Sequence, residues 1–291
     1  MSRVLRCAIV TVRGVDAAAT LLAAVVFALA GSTAAAQGPR MTPDRLNQLA
    51  SKPTPRLGEH ADLNGTWDHL GGIEFVQPRK LANGSVCIIG CPPEPGAGGA
   101  RAGGPPPTPS PKYKPQFVAK VKDLNERQVD TDTVLKCQAP GVPRIGPPQK
   151  IVQNGREVLF LYDDVSGGFF RIVPTDGRAH RSVPPSYLGD AVARWEGDTL
   201  VVETTNFNEE TWLTDNGAFH SKDLKVIERL RRVGDTIQYQ ATAQDPAVLA
   251  EPWTLPPQTL WITDREMEEP ARCEDRDLEH IVDGSHHTNP R

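Results

Sequence analysis

Much of what usually announces an activity is missing from this sequence. It contains no Gly-x-Ser-x-Gly nucleophile elbow, no glycine-rich phosphate loop and no His-Glu-x-x-His segment. The local signatures of acyl transfer, nucleotide-phosphate binding and zinc-dependent hydrolysis are therefore absent. No basic stripe runs along the chain. Its one basic cluster is Arg229, Arg231 and Arg232, of which Arg229 and Arg231 share one strand face and acidic residues flank the group. That argues against nucleic acid as a partner. No apolar run reaches the roughly 20 residues of a membrane-spanning helix, so no membrane span is expected in the mature chain.

Hydrophobic residues make up 38% of 291 positions, enough for one large domain or two small ones. Residues 1–36 read as a signal peptide. Arg3, Arg6 and Arg13 form a basic start, Ala17 to Ala30 is a short apolar stretch, and Ala34 to Ala36 offers small residues for cleavage. The alternative is an uncleaved anchor. The expected location is periplasmic or secreted, with the mature chain starting near Gln37. The leader carries three Arg and one Asp, so losing its +2 takes the formal charge from −4 to −6.

Cysteine is scarce. Beyond the leader only Cys87, Cys91, Cys137 and Cys273 remain. An even number in an exported chain points to disulfides, and four cysteines allow three pairings. Cys87 with Cys91 is feasible because Ile88-Ile89-Gly90 can turn, which leaves Cys137 with Cys273. That second bridge closes a loop worth roughly 5 kcal/mol in the loop-entropy picture. Zinc is the rival reading, but Cys-x3-Cys has no matching second pair. No metal and no cofactor are expected.

The remaining chain reads as one β domain. Residues 37–60 form a helical and extended segment, with a helix over 42–52 capped by Thr42, started by Pro43 and stopped by Pro53. A single β domain spans 61–285, and 286–291 is a tail. Between Pro92 and Pro111, 13 of 20 residues are Pro or Gly. Such a stretch buries little apolar surface, so 92–112 is expected to be a disordered insertion. Hairpin signals follow. Asn154-Gly155 fits a type I′ turn between Lys150–Gln153 and Arg156–Asp163, and Gly168 to Pro174 runs into the turn Asp176-Gly177-Arg178. Gly197-Asp198 and Gly234-Asp235 mark two more turns, and Ile237, Tyr239, Ala241 and Ala243 alternate with polar neighbours. Trp253 to Thr263 supplies a last strand, and Arg276 to Val282 a short closing helix. Strand-turn-strand units with so little helix predict an all-β, mainly antiparallel barrel, with a two-sheet sandwich as the alternative. Asp62-Leu63-Asn64-Gly65-Thr66-Trp67-Asp68 places Gly-x-Trp at the opening of the domain. This resembles the first strand of lipocalin-like barrels, in which the Trp plugs one end.

The densest aromatic and polar constellation lies between Tyr187 and Glu228. A hairpin, Ala191 to Trp195 and Thr199 to Phe207, leads into a loop of about 16 residues that is longer than a hairpin needs. Tyr187, Trp195, Phe207 and Trp212 are the candidate ligand-binding residues, since ligand sites are mostly apolar with a few placed polar groups. His220 and His180 are the candidate general acid/base groups, with Glu203 the carboxylate that orients them; Glu228 and Asp198 are further carboxylates, the latter already explained as a turn residue. Trp212 is expected to fold over the barrel mouth and bring His220 to its rim. His286 and His287 lie in the polar tail and carry no role. Two functions follow. One is an exported barrel that binds a small, partly apolar molecule in an aromatic-lined pocket. The other is a hydrolase, lyase or isomerase working through His220 with His180.

The same residues carry a resemblance. Arg194 to Phe207, Thr211-Trp212-Leu213, Gly217-x-x-His220-Ser221 and Glu228-Arg229 look like a large group of exported bacterial proteins of unassigned function. The likeness extends to Leu63 to Trp67, to Cys137-x-x-x-Gly141-x-Pro143-Arg144, to Asp176-Gly177-Arg178-x-His180, to Asp245-Pro246 and to Pro252-Trp253. It implies export, a β domain and a shared site, and supplies no activity. Such proteins close with Cys-His-Glu-Gly-Asn, whereas this chain has Cys273-Glu274-Asp275-Arg276-Asp277.

Overall fold

Period-two alternation builds the sheet. In Glu157–Asp164 the inward residues Val158, Phe160 and Tyr162 are buried, and in Lys225–Val233 the buried set is Val226, Glu228, Leu230 and Arg232. A strand turns successive side chains to opposite faces, so each run makes one inward and one outward row. The computed structural model describes residues 41–69, 79–82, 84, 86–87 and 108–269. The sheet belongs to the unit 43–291.

Its strands are β1 (Arg56–Leu57), β2 (His60–Ala61), β3 (Gly65–His69), β4 (Arg79–Lys80), β5 (Val86–Cys87), β6 (Lys150–Gln153) and β7 (Glu157–Asp164). They continue as β8 (Gly167–Pro174), β9 (Asp190–Glu196), β10 (Thr199–Thr205), β11 (Lys225–Val233), β12 (Thr236–Gln244), β13 (Trp253–Thr254) and β14 (Gln258–Thr263). Nine of them follow one another as β8-β7-β6-β3-β14-β12-β11-β10-β9, each pair antiparallel, with β13 added to β12. The two ends of that path, β8 and β9, lie side by side. The sheet thus curls into a nearly closed, lipocalin-like antiparallel barrel, and the sandwich alternative falls away. Among the described residues helix is limited to α1 (Pro43–Ala50), α2 (Val118–Glu126), α3 (Gln128–Thr131) and two short 3-10 turns. Among the described residues no helix is long and apolar enough to cross a membrane.

One end of the barrel is closed by the segment before β3. Trp67 is buried there; its indole N–H donates to the Leu63 carbonyl at 3.0 Å, and the Arg232 guanidinium lies 5.0 Å from its ring centroid. The β1–β2 hairpin covers the β9–β10 turn, with Arg56 paired to Asp198 at 2.6 Å and the His60 ring stacked on Trp195 at 4.5 Å. Beyond the other end of β10, Phe207, Trp212, Leu213, Ala218, Phe219 and Leu224 are all buried within the connection to β11. Between the two ends Phe160, Tyr162, Leu200, Val202, Leu230 and Tyr239 form one packed core.

Several expectations change. Asn154 and Gly155 do not take the left-handed φ of a type I′ turn; the Asn154 side chain instead accepts from the Arg156 and Glu157 amides at 2.8 and 3.0 Å. A short polar side chain that bonds its own backbone replaces the turn that glycine would permit. The last strand is split, because Pro256 and Pro257 carry no N–H for the ladder and interrupt it between β13 and β14. Helices α2 and α3 were not expected. The basic cluster is shared between faces: Arg232 is buried against Trp67, while Arg229 pairs with Glu196 at 2.7 Å outside. The leader, residues 92–107 of the insertion and the closing helix over Arg276–Val282 lie outside the described residues. Cys137 is disulfide-bonded, and the side chains of the other cysteines are likewise outside them.

Candidate functional site

The candidate site is where the loop after β10 meets helix α2. Phe117, Val121 and Leu124 recur at helical spacing and pack against the core, which holds one face of α2 inward. Gly217, at φ +77°, lets the loop come close: an added Cβ would lie 2.5 Å from the Val121 carbonyl oxygen and 2.6 Å from the Asn125 nitrogen. Arg144 ties the other side. Its two terminal nitrogens meet both oxygens of Asp132 at 2.7 Å, its Nε donates to Asp215 at 2.7 Å, and its guanidinium lies over the Trp212 ring. Burial works against the charged guanidinium, but the two carboxylates outweigh it and hold Arg144 charged.

Between these walls lies a cleft of ≈ 270 Å³. Trp212, Phe219 and Leu124 supply its apolar lining, and Lys120, Lys136, Asp130, Glu209 and Glu210 its charges. Lys120 Nζ sits 3.8 Å from the centroid of the Phe219 ring. Tyr187 stands at the edge, its hydroxyl donating to Glu210 at 3.1 Å. So Tyr187 and Trp212 from the expected set meet at this place, and Lys120, Leu124 and Lys136 join them. The apolar spacing Phe117, Val121, Leu124 is a sequence signal for Leu124 alone; nothing in the sequence marks the two lysines.

Phe207 is buried behind the cleft, edge-on to the His220 ring at 5.8 Å. Trp195 is elsewhere. It pairs with Leu200 at the start of β10, whereas Phe207 follows the end of that strand, about 20 Å away at the usual strand rise. The four aromatic residues therefore do not line one pocket. Trp212 does not lie over an open mouth either, because that end of the barrel is filled.

His220 is 2% exposed and does not reach a rim. Its Nδ1 lies 2.8 Å from the Ser221 carbonyl and its Nε2 2.7 Å from the Thr211 hydroxyl. Both nitrogens are engaged inside the protein. Burial lowers its pKa below the ordinary histidine value, opposed by the Ser221 carbonyl and Asp245.

Comparison with models of known protein families and with curated proteins returns no match.

His180 and Glu203 do come together, on the outside of the barrel. His180 Nε2 is 3.5 Å from Glu203 Oε1, and its Nδ1 is 3.0 Å from Asp190 Oδ2. Asp190 also accepts from the Arg181 amide and guanidinium, and Lys225 meets Glu203 at 3.1 Å. Burial raises the Glu203 carboxyl, but Lys225 and His180 outweigh it and leave it below the usual range. Asp190 was not anticipated, since it opens a strand and reads as a boundary residue. His220 shares no hydrogen-bond partner with this group. Among the described residues no three His, Cys, Asp or Glu side chains form a metal-ligand set.

Proposed function

We propose that the protein binds a small, partly apolar molecule in the cleft between α2 and the loop 207–221. The observation that carries this reading is the ≈ 270 Å³ cleft with Trp212, Phe219 and Leu124 among charged residues. Its size falls just under the range of about 300–1,000 Å³ typical of drug-sized sites, which favours a smaller occupant. The neutral fluorescent probe N-phenyl-1-naphthylamine tests it. One saturable site is expected, weakened by Trp212→Ala and abolished by Leu124→Glu, a half-buried position in the cleft wall, in a variant whose circular dichroism matches the parent's. Saturable binding that both variants retain would remove the cleft from consideration.

A second reading, a hydrolase, lyase or isomerase, now rests on His180 as the general acid/base. Asp190 holds Nδ1, the arrangement that orients a catalytic imidazole, and Glu203 is a second carboxylate at Nε2. It ranks lower because Nε2 is shielded from solvent and has no hydrogen-bond partner. Turnover of a panel of activated esters that is lost in His180→Gln would promote it.

We also infer export to the periplasm or medium, as the leader pattern and the family resemblance imply, with the four mature cysteines paired. A mature chain that shows no reactive thiol when denatured without reductant supports this; four reactive thiols refute it.

A further inference from the structure

The charges around the cleft are of both signs and are not spent on each other. Lys120 and Lys136 face the same ≈ 270 Å³ space as Asp130, Glu209 and Glu210. No lysine–carboxylate pair among these five comes within the 4.0 Å of a salt bridge, and none of them pairs elsewhere among the described residues. The surroundings are different. Lys122 pairs with Glu126 at 3.8 Å, Arg127 with Asp123 at 2.5 Å, and Arg144 with Asp132 and Asp215 at 2.7 Å each. Arg144, whose guanidinium lies over the Trp212 ring, is already paired with two carboxylates. Two cations and three anions without a salt-bridge partner thus face one aromatic-lined space.

We propose that this cleft takes a zwitterion, a molecule of amino-acid size whose carboxylate meets Lys120 or Lys136, whose ammonium meets Glu209 or Glu210, and whose apolar part lies against Trp212 and Leu124. The proposal rests on the cleft reading above and specifies its ligand class. The physics is a matter of sign. A ligand with a single charge gains one attraction in such a cleft and meets a like charge on the opposite wall. A zwitterion gains both attractions and avoids both repulsions, so the pattern selects as well as attracts. All five charged side chains are exposed at the cleft rim, so each contact has the modest strength of a solvent-facing ion pair and the selection comes from their arrangement. Glu210 is held in place by the Tyr187 hydroxyl, so one anionic end of the site is positioned before any ligand arrives.

Four related probes separate charge from shape. They are L-phenylalanine as the zwitterion, N-acetyl-L-phenylalanine as the anion, L-phenylalanine methyl ester as the cation and benzyl alcohol as the neutral form, each measured by titration calorimetry on the mature protein. L-phenylalanine is expected to bind at least about fivefold more tightly than either singly charged form, the scale of one good partly exposed ion pair. Lys120→Met with Lys136→Met should remove its advantage over the methyl ester, and Glu209→Gln with Glu210→Gln its advantage over the N-acetyl form. Equal affinity for L-phenylalanine and either singly charged probe overturns the zwitterion proposal. So does N-phenyl-1-naphthylamine binding with no L-phenylalanine binding, an outcome that leaves the cleft reading standing. If neither the dye nor any of the four probes binds, the cleft reading itself has failed, and this proposal with it.

Discussion

Thr211 Oγ1 lies 2.7 Å from His220 Nε2, across the ring from the Ser221 carbonyl that assigns its protonation. The Ser221 carbonyl at Nδ1 can only accept, so Nδ1 carries the hydrogen and Nε2 accepts from the Thr211 hydroxyl. His220 is a neutral linchpin between the two ends of the loop, not a proton shuttle. Its neighbours Trp212 and Phe219 face the cleft that it supports from behind.

Acid should therefore loosen this region. Burial, only partly opposed by the Ser221 carbonyl and Asp245, holds His220 in the folded chain below the histidine value that the unfolded chain shows, about 6.5. Below that pH the unfolded chain takes a proton that the native state resists. The contribution of neutral His220 is complete above about 6.5 and is lost as pH falls through the lower folded value, at no more than about 1.4 kcal/mol per pH unit. Urea unfolding at pH 7.5 and 5 should show the parent protein losing more stability than His220→Gln. Equal losses would show that His220 does not titrate in this way.

Gly141 presses on the same contact from the other side. Its φ is +89°, and a Cβ there would lie 2.5 Å from Thr211 Cβ and 2.7 Å from its hydroxyl. Gly141→Ala should cost about 2–4 kcal/mol, from the left-handed backbone together with the overpacking. Gly177, at φ +81° with nothing within 4 Å of an added Cβ, is the control. There alanine meets only the backbone term of about 1–2 kcal/mol. If the two substitutions cost the same in chemical denaturation, the close packing at Gly141 carries no weight.

The barrel was legible in the sequence wherever a single strand or turn determined it. Gly197-Asp198 and Gly234-Asp235 stand in turns between Glu196 and Thr199 and between Val233 and Thr236, with both glycines at positive φ, +61° and +58°. Strand order was not legible, because the placement of β3 between β14 and β6 depends on contacts 84 to 197 residues apart in sequence. The site was half legible for the same reason. Trp212, Glu203 and His180 could be named by type, but the cleft exists only where α2 meets a loop nearly a hundred residues further on. Nothing in the sequence marks Lys120 of α2 until Gly217 brings that loop against the helix.

Asp190 is the next test. It is 2% exposed and accepts from His180 Nδ1 at 3.0 Å and from the Arg181 amide and Nε at 2.9 and 2.6 Å. Burial pushes its carboxyl up, but Arg181 and His180 outweigh this and leave it below the usual carboxylate value. Its contribution to stability is present above about pH 3.9 and fades as pH falls through the lower folded value. Asp190→Ala should cost about 2–3 kcal/mol at neutral pH, because buried donors lose their acceptor. Asp190→Asn, which keeps one acceptor oxygen, should cost less. A change under about 0.5 kcal/mol in Asp190→Ala, the size of an ordinary surface substitution, would mean that the β8–β9 connection is held by other contacts.

Inside the barrel, Arg171 and Glu228 form a charged pair in a packed core. Arg171 Nη2 donates to Glu228 Oε2 and to the Thr204 hydroxyl, both at 2.7 Å, its Nη1 meets the Tyr162 hydroxyl at 3.1 Å, and Tyr239 donates to the other Glu228 oxygen at 3.1 Å. Burial works against the guanidinium charge, and Glu228 more than restores it. The pattern was present in the sequence, since Arg171 shares a strand face with Val173, and Glu228 with Val226 and Leu230. Taking two charges out of water costs about what their attraction returns, so the pair need not stabilise the fold on balance, whereas breaking it must destabilise. Arg171→Met leaves Glu228 buried beside Tyr239 alone and should cost about 3–5 kcal/mol. Arg171→Met with Glu228→Leu removes both charges and should recover most of that loss. Recovery should stop about 1–2 kcal/mol short of the parent, because Tyr239 and Thr204 are left without their charged partners. A double-mutant cycle read by denaturant unfolding decides it: costs that simply add would mean that the two side chains do not act as a pair.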